Sequence, residues 1–171
     1  MNGLAMMCFT SEIVLQVNIA QKAAERLQAA NDNFDNIEVW GAIQSILGAA
    51  ANVSKILWPN KNKAKRGEEL RQMLGVTENK LHEALLFRNH FEHYDDRIEE
   101  WFKNQRSAVF IDRAMNPHLR AFDWEQPKFC HRGYNSFNNI LVFRHETLDL
   151  NEVLTELENL HEKCRQCGII F

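Results

Sequence analysis

The stretch Asp35-Asn36-Ile37-Glu38-Val39-Trp40-Gly41-Ala42-Ile43-Gln44-Ser45-Ile46-Leu47-Gly48-Ala49-Ala50-Ala51-Asn52-Val53-Ser54-Lys55-Ile56-Leu57 decides the fold class. Asp35 followed three residues later by Glu38 has the form of a capping box. From there Trp40, Ile43, Ile46, Leu47, Ala50, Val53 and Leu57 recur at helical spacing, and Pro59 ends the run. The Gly48-Ala49-Ala50-Ala51 segment gives this helix a smooth face suited to close contact with another helix.

The same periodicity extends in both directions. Ile13, Val14, Val17, Ala20, Ala24 and Leu27 predict a helix over residues 4–30, broken by Asn31-Asp32-Asn33. After Pro59, Lys61, Lys63, Lys65 and Arg66 read as a solvated basic loop. A short helix follows with Leu70, Met73 and Leu74, and Gly75 stands at its C-terminal cap position. Thr77 is placed to cap a helix reaching about Lys103, with Leu81, Ala84, Leu85, Phe91, Ile98, Trp101 and Phe102 as its core stripe. Val109-Phe110-Ile111 and Ile140-Leu141-Val142-Phe143 read as short extended segments. Between them, Trp124 and Phe129 could anchor a connection containing Pro117, Pro127 and Gly133. Asp149 and Glu152 form a second capping-box candidate, opening a last helix through Leu150, Val153, Leu154, Leu157 and Leu160. The expectation is a mainly α chain: one domain over 1–171, a bundle of about four longer helices. An irregular or β-containing insertion at 105–148 precedes the C-terminal helix.

Composition narrows the function. The 171 residues are 45% hydrophobic and 25% charged, with three prolines and seven glycines, an ordinary globular balance. A net charge of -3 argues against a stand-alone, non-specific nucleic-acid binder, so any RNA contact must come from a local patch. The four scattered cysteines read as reduced thiols, which sets a cytoplasmic expectation. No apolar run stands out as a membrane span, and no membrane partner is expected.

One hexapeptide carries chemistry: Arg88-Asn89-His90-Phe91-Glu92-His93. Arginine is a permanent planar cation suited to phosphate oxygens, and histidine transfers protons near neutral pH. On a helix Asn89 and His93 share a face, and Glu92 lies four residues beyond Arg88, in reach of an ion pair. The chemistry this suggests is RNA cleavage by its own 2′-hydroxyl. His93 would act as general acid or base, and Arg88 would stabilise charge on the phosphoryl oxygens. Asn89 would orient either of them, Glu92 and Tyr94 would support them, and no metal or other cofactor is required. Lys61, Lys63, Lys65 and Arg66 are the best local candidates for an RNA-contacting rim. A two-fold homodimer would double the apparatus and form a cleft.

The Arg88-Asn89-x-x-x-His93 pattern resembles the signature of the HEPN superfamily. That resemblance implies a small helical bundle, dimerisation at the motif, and metal-independent ribonuclease activity in toxin–antitoxin, phage-defence or CRISPR systems. Arg88 and His93 would be catalytic and Asn89 supporting, with a cognate antitoxin or other regulatory protein as a further partner. One branch carries a tyrosine two positions after the histidine. Here that position is Asp95 and the tyrosine is Tyr94.

Two other readings stand beside this one. A HEPN-like dimeric interaction or sensor module could use the same helix without catalysis. A metal-dependent helical-bundle hydrolase could be built on His90 and His93, with Glu92, Asp95 and Asp96 nearby. His161-x-x-Cys164-x-x-Cys167 has ligand-like spacing too, with Cys130 and His131 as conceivable partners, but helical spacing also fits a buried stripe.

Overall fold

The computed structural model describes residues 2–104, 109–117 and 130–168. Trp124, Phe129, Pro127 and His118 lie outside the described residues. The chain is mainly α, with a small four-stranded sheet ahead of the C-terminal helix. It divides into two compact units. One comprises Met1–Leu85 with Glu152–Phe171, the other Leu86–Asn151.

In the first unit α1 (Gly3–Asp32) and α2 (Asn36–Leu57) form an antiparallel hairpin. Ile13, Val17, Ala20, Ala23 and Leu27 of α1 are buried, as are Val39, Ile43, Ile46, Leu47, Ala50, Val53 and Leu57 of α2. Asp35 caps α2 by accepting from the Glu38 N–H at 3.1 Å. The box is half made, because Glu38 pairs with Arg26 at 2.9 Å and the Asp35 N–H goes to the Ala30 carbonyl. Phe34 completes the turn with φ 56° and is 88% exposed.

The expected basic loop is instead helical. Lys61–Lys63 form a 3-10 turn, and Lys65 and Arg66 lie in α3 (Ala64–Leu74). Arg66 donates to the Lys55 carbonyl at 3.1 Å and Arg71 to the Leu57 carbonyl at 2.5 Å, so both serve the open C-terminus of α2. Gly75 ends α3 in the left-handed conformation that favours glycine (φ 60°, ψ 41°).

Thr77 does not cap the following helix. Asn79 is held by buried Ser54 at 3.2 Å, and α4 (His82–Glu92) begins only after that tether. The long helix expected to about Lys103 is interrupted at His93, and α5 (Tyr94–Asn104) follows. The His93 N–H still donates to Asn89 O at 3.0 Å, and the Arg97 N–H to His93 O at 3.2 Å. No proline or glycine causes the break; tertiary contacts on Phe91 and Tyr94 bracket it.

In the second unit the strands are β1 (Ala114–Met115), β2 (Arg132–Asn135), β3 (Ile140–Phe143) and β4 (Glu146–Asp149), in spatial order β1-β2-β3-β4. β1 runs parallel to β2, with Ala114 opposite Gly133. β2–β3 and β3–β4 are antiparallel, with Arg132 opposite Phe143 and Leu141 opposite Leu148. The expected strand at 140–143 is β3. The one expected at 109–111 is reduced to a single bridge from Ile111 to Cys130.

Asp149 serves α6 (Leu150–Gln166) through the Asn151 N–H at 2.7 Å, one residue earlier than the box pattern implies. Within the first unit α6 buries Val153, Leu157, Leu160 and Cys164.

One expectation is corrected outright. α1, at 30 residues, is long and apolar enough by length and composition to cross a bilayer, despite Glu12. Its inner face supplies core, but only 28% of its most apolar 18-residue window is buried within the chain, so burial accounts for part of that composition.

Candidate functional site

The motif straddles the junction of α4 and α5, within the second unit. Arg88 is half-buried and forms an ion pair with Glu92, one turn along. Its Nη1 also donates to Asn89 Oδ1 at 3.3 Å. Both contacts use Nη1, and among the described residues the Nη2 and Nε edges of the guanidinium have no hydrogen-bond or ion-pair partner. His93 is exposed, and among the described residues its imidazole has no hydrogen bond, ion pair or ring contact. Five helical residues separate it from Arg88, about 140° around the axis. The structure therefore brings Arg88, Asn89 and Glu92 into one network and leaves His93 beside it, open to water.

His90 has a different place. Its ring stacks on Phe143 (centroids 4.1 Å, planes 7° apart) and meets Phe87 edge-on. Nε2 lies 3.2 Å from Glu146 Oε2, and Nδ1 is buried with no hydrogen-bond partner among the described residues. That packing turns His90 away from the joint metal site with His93 considered from the sequence. Among the described residues no three His, Cys, Asp or Glu side chains gather in metal-binding geometry. Cys164 is buried, which pushes its thiol up to about 12, and Cys167 sits exposed at the end of α6.

Tyr94, placed beside the motif by sequence, faces a separate cluster. The Arg132 guanidinium lies 3.6 Å from the Tyr94 ring centroid and 5.3 Å from that of Phe91. Arg132 also grips Asp112 with two hydrogen bonds, at 2.8 and 2.6 Å. Burial works against the charge of Asp112, but the hydrogen bonds from Arg132 and Tyr94, the Arg132 charge and a backbone bond from Arg113 together outweigh it and hold the carboxyl below its usual range. Burial, reinforced by Asp112, raises the Tyr94 hydroxyl well above its ordinary value.

Beside this pair His131 is fully enclosed, ringed by Tyr94, Trp101, Phe110 and Phe143 at centroid distances of 4.9–5.5 Å. Burial, helped by the Arg144 charge 3.3 Å from Nε2, lowers its pKa to about 4. Arg144 occupies the two-residue β3–β4 turn at φ 54°. It is held there by the Arg97 carbonyl at 3.0 Å and Glu100 at 3.1 Å. Glu100 thereby spends its charge on Arg144, and Glu99 pairs with Lys103 at 3.2 Å. Asp95 and Asp96 remain exposed in the first turn of α5, where a helix N-terminus favours them.

Sequence reading missed Glu146, Asp112, Arg132 and Arg144. Each comes to α4 or α5 from more than ten residues away, and no local spacing marks it. Lys61, Lys63 and Lys65 are exposed, but they and Arg66 belong to the first unit, and Arg66 is occupied with α2. Comparison with known protein families, with curated proteins and with solved structures finds no match for this chain.

Proposed function

We propose that this protein is a metal-independent endoribonuclease of HEPN type that works as a homodimer, as a toxin or defence effector restrained by a regulatory partner. The observation that carries the reading is the water-open imidazole of His93 at the α4–α5 junction. Five residues back along the chain stands an arginine fixed through a single nitrogen, with no hydrogen bond or ion pair on its other edges among the described residues.

In this mechanism His93 takes the proton of an RNA 2′-hydroxyl. The oxygen attacks the adjacent phosphorus, and the 5′-oxygen leaves with a proton from a second acid, the histidine of the other copy or water. The free edge of Arg88 stabilises the negative charge on the non-bridging oxygens. Asn89 and Glu92 hold Arg88 in place. The products are a 2′,3′-cyclic phosphate and a 5′-hydroxyl.

Purified protein incubated with RNA, with and without EDTA, tests the proposal. Cleavage should survive chelation and vanish in His93→Ala and Arg88→Ala, whereas His90→Ala retains it in proportion to its folded fraction. Expression of wild type should arrest growth and His93→Ala should not.

A second reading, a HEPN-like dimeric module without catalysis, draws on the exposed carboxylates of Glu92, Asp95 and Asp96 around His93. They repel a phosphate backbone. An intact dimer that cleaves no RNA under any of these conditions would favour it. Cleavage lost on chelation and restored by a divalent ion would instead favour the metal-dependent hydrolase.

A further inference from the structure

The side of α1 turned toward α2 is fully used, but its opposite side is not. Only 28% of the most apolar 18-residue window of α1 is buried within the chain. Leu4 is 71% exposed, Leu15 50%, Met7 42% and Ile19 40%, and Cys8 is exposed as well. At about 100° per residue these five fall within one arc of about 120°, with Ser11 inside it. Between Asn2 and Gln21 the one charged residue is Glu12, and its carboxylate accepts from Gln16 Nε2 at 2.7 Å.

We propose that this face receives a second copy of the chain, the two α1 helices crossing antiparallel about a two-fold axis beside Ser11 and Glu12. The stripe is self-complementary in that arrangement. Leu4 and Cys8 of one copy meet Ile19 and Leu15 of the other, and the same contacts repeat across the axis. Large apolar residues lie at both ends, and the small Ser11 lies at the crossing, where the backbones must approach.

Charge argues for a protein partner over a lipid surface. Helices that lie on anionic membranes carry Lys and Arg along the borders of their apolar face. Here the first cations, Lys22 and Arg26, come beyond Ile19, and both are engaged, with Glu25 at 2.8 Å and Glu38 at 2.9 Å. The basic segment of α3 meets α1 where Arg66 covers Phe9, about 120° around the helix from Leu15.

Area sets the strength. From Leu4 to Ile19 the stripe is about 22 Å long, on a helix about 10 Å wide with its side chains. That footprint makes the core of an interface but falls short of the ~800 Å² per partner of a standard one. A footprint of that size fits a weak, reversible dimer and not a permanent one.

Sedimentation velocity of the intact chain through the micromolar range should show a monomer–dimer equilibrium. Leu15→Glu should abolish it with an unchanged circular dichroism spectrum, since Leu15 is half exposed. In a Cys8→Ser, Cys167→Ser background, mild oxidation should trap Ser11→Cys as a covalent dimer and leave Ala29→Cys unlinked. A chain that stays monomeric throughout overturns the proposal, as does a dimer indifferent to Leu15→Glu or a Ser11→Cys that links no faster than Ala29→Cys. A solution monomer that binds anionic phospholipid vesicles through Leu15 also overturns it, in favour of lipid. None of these readings depends on RNA cleavage.

Discussion

Replacing Gly67 by alanine separates what a helix prefers from what this fold allows. Gly67 lies inside α3, and by intrinsic propensity alone alanine there should stabilise by about 1 kcal/mol. The structure reverses the sign. A Cβ at Gly67 would lie 2.4 Å from Pro59 Cδ, 2.6 Å from the Leu57 carbonyl oxygen and 3.0 Å from Arg71 Nη1. Proline and a helix-terminal carbonyl cannot step aside as a flexible side-chain tip can, so α3 must move away from the end of α2. Overpacking of this kind costs about 1–3 kcal/mol. The shift also strains the Arg71 bond to the Leu57 carbonyl, a charge-assisted contact of about 1.5–3 kcal/mol if lost outright. Set against the propensity gain, the net expectation is a loss of about 2–3 kcal/mol. Gly48→Ala in α2 is the internal control. A Cβ there meets nothing within 4 Å, so it should stabilise by about 0.5–1 kcal/mol. Urea unfolding followed by circular dichroism measures both. For a chain of this size each kcal/mol moves Tm by about 2–4 °C, so Gly67→Ala should melt roughly 4–12 °C lower. A Gly67→Ala protein at least as stable as wild type would refute the packing of α3 against Pro59 and Leu57.

Three other expectations can be checked on the same preparations. His131 stays neutral in the folded state down to about pH 4, whereas in the unfolded chain it takes a proton near pH 6.5, so the unfolded state binds more protons in between. Stability should therefore fall as pH drops through that window, by up to about 1.4 kcal/mol per unit, and His131→Gln should remove that part of the slope in denaturation curves taken at successive pH values. Phe34 bears a left-handed backbone and an exposed ring, so Phe34→Gly should raise the urea midpoint by an amount worth about 0.5–1 kcal/mol; a lower midpoint would mean the ring packs on something. Glu92→Gln removes the carboxylate paired with Arg88. Titrations of a short RNA should then show tighter binding as a repelling carboxylate is removed, whereas Arg88→Gln should make the salt slope shallower by about one phosphate contact; an unchanged slope in Arg88→Gln would remove Arg88 from the phosphate contacts.

The sequence by itself determined the helical hairpin, because local rules sufficed for it. The apolar period of α1 and α2, the Asp35 cap and the left-handed Gly75 are each written within a few residues, and each is where the sequence puts it. The β3 strand at Ile140–Phe143 was also legible, as an apolar run of strand length. The motif residues were named by their chemistry, but their roles were not settled by spacing. The sequence placed Arg88 through His93 on one uninterrupted helix, with Asn89 and His93 sharing a face. Tertiary structure ended α4 before His93, sealed His90 between Phe143 and Glu146, and turned Tyr94 to Arg132, while the Arg88–Glu92 pair is the contact one turn along that spacing already offered. The physical reason is range. Hydrophobic period and capping act over three or four residues, whereas His90, Tyr94 and Arg97 are placed by side chains about 38 to 56 positions away, on strands and turns whose approach no local pattern encodes.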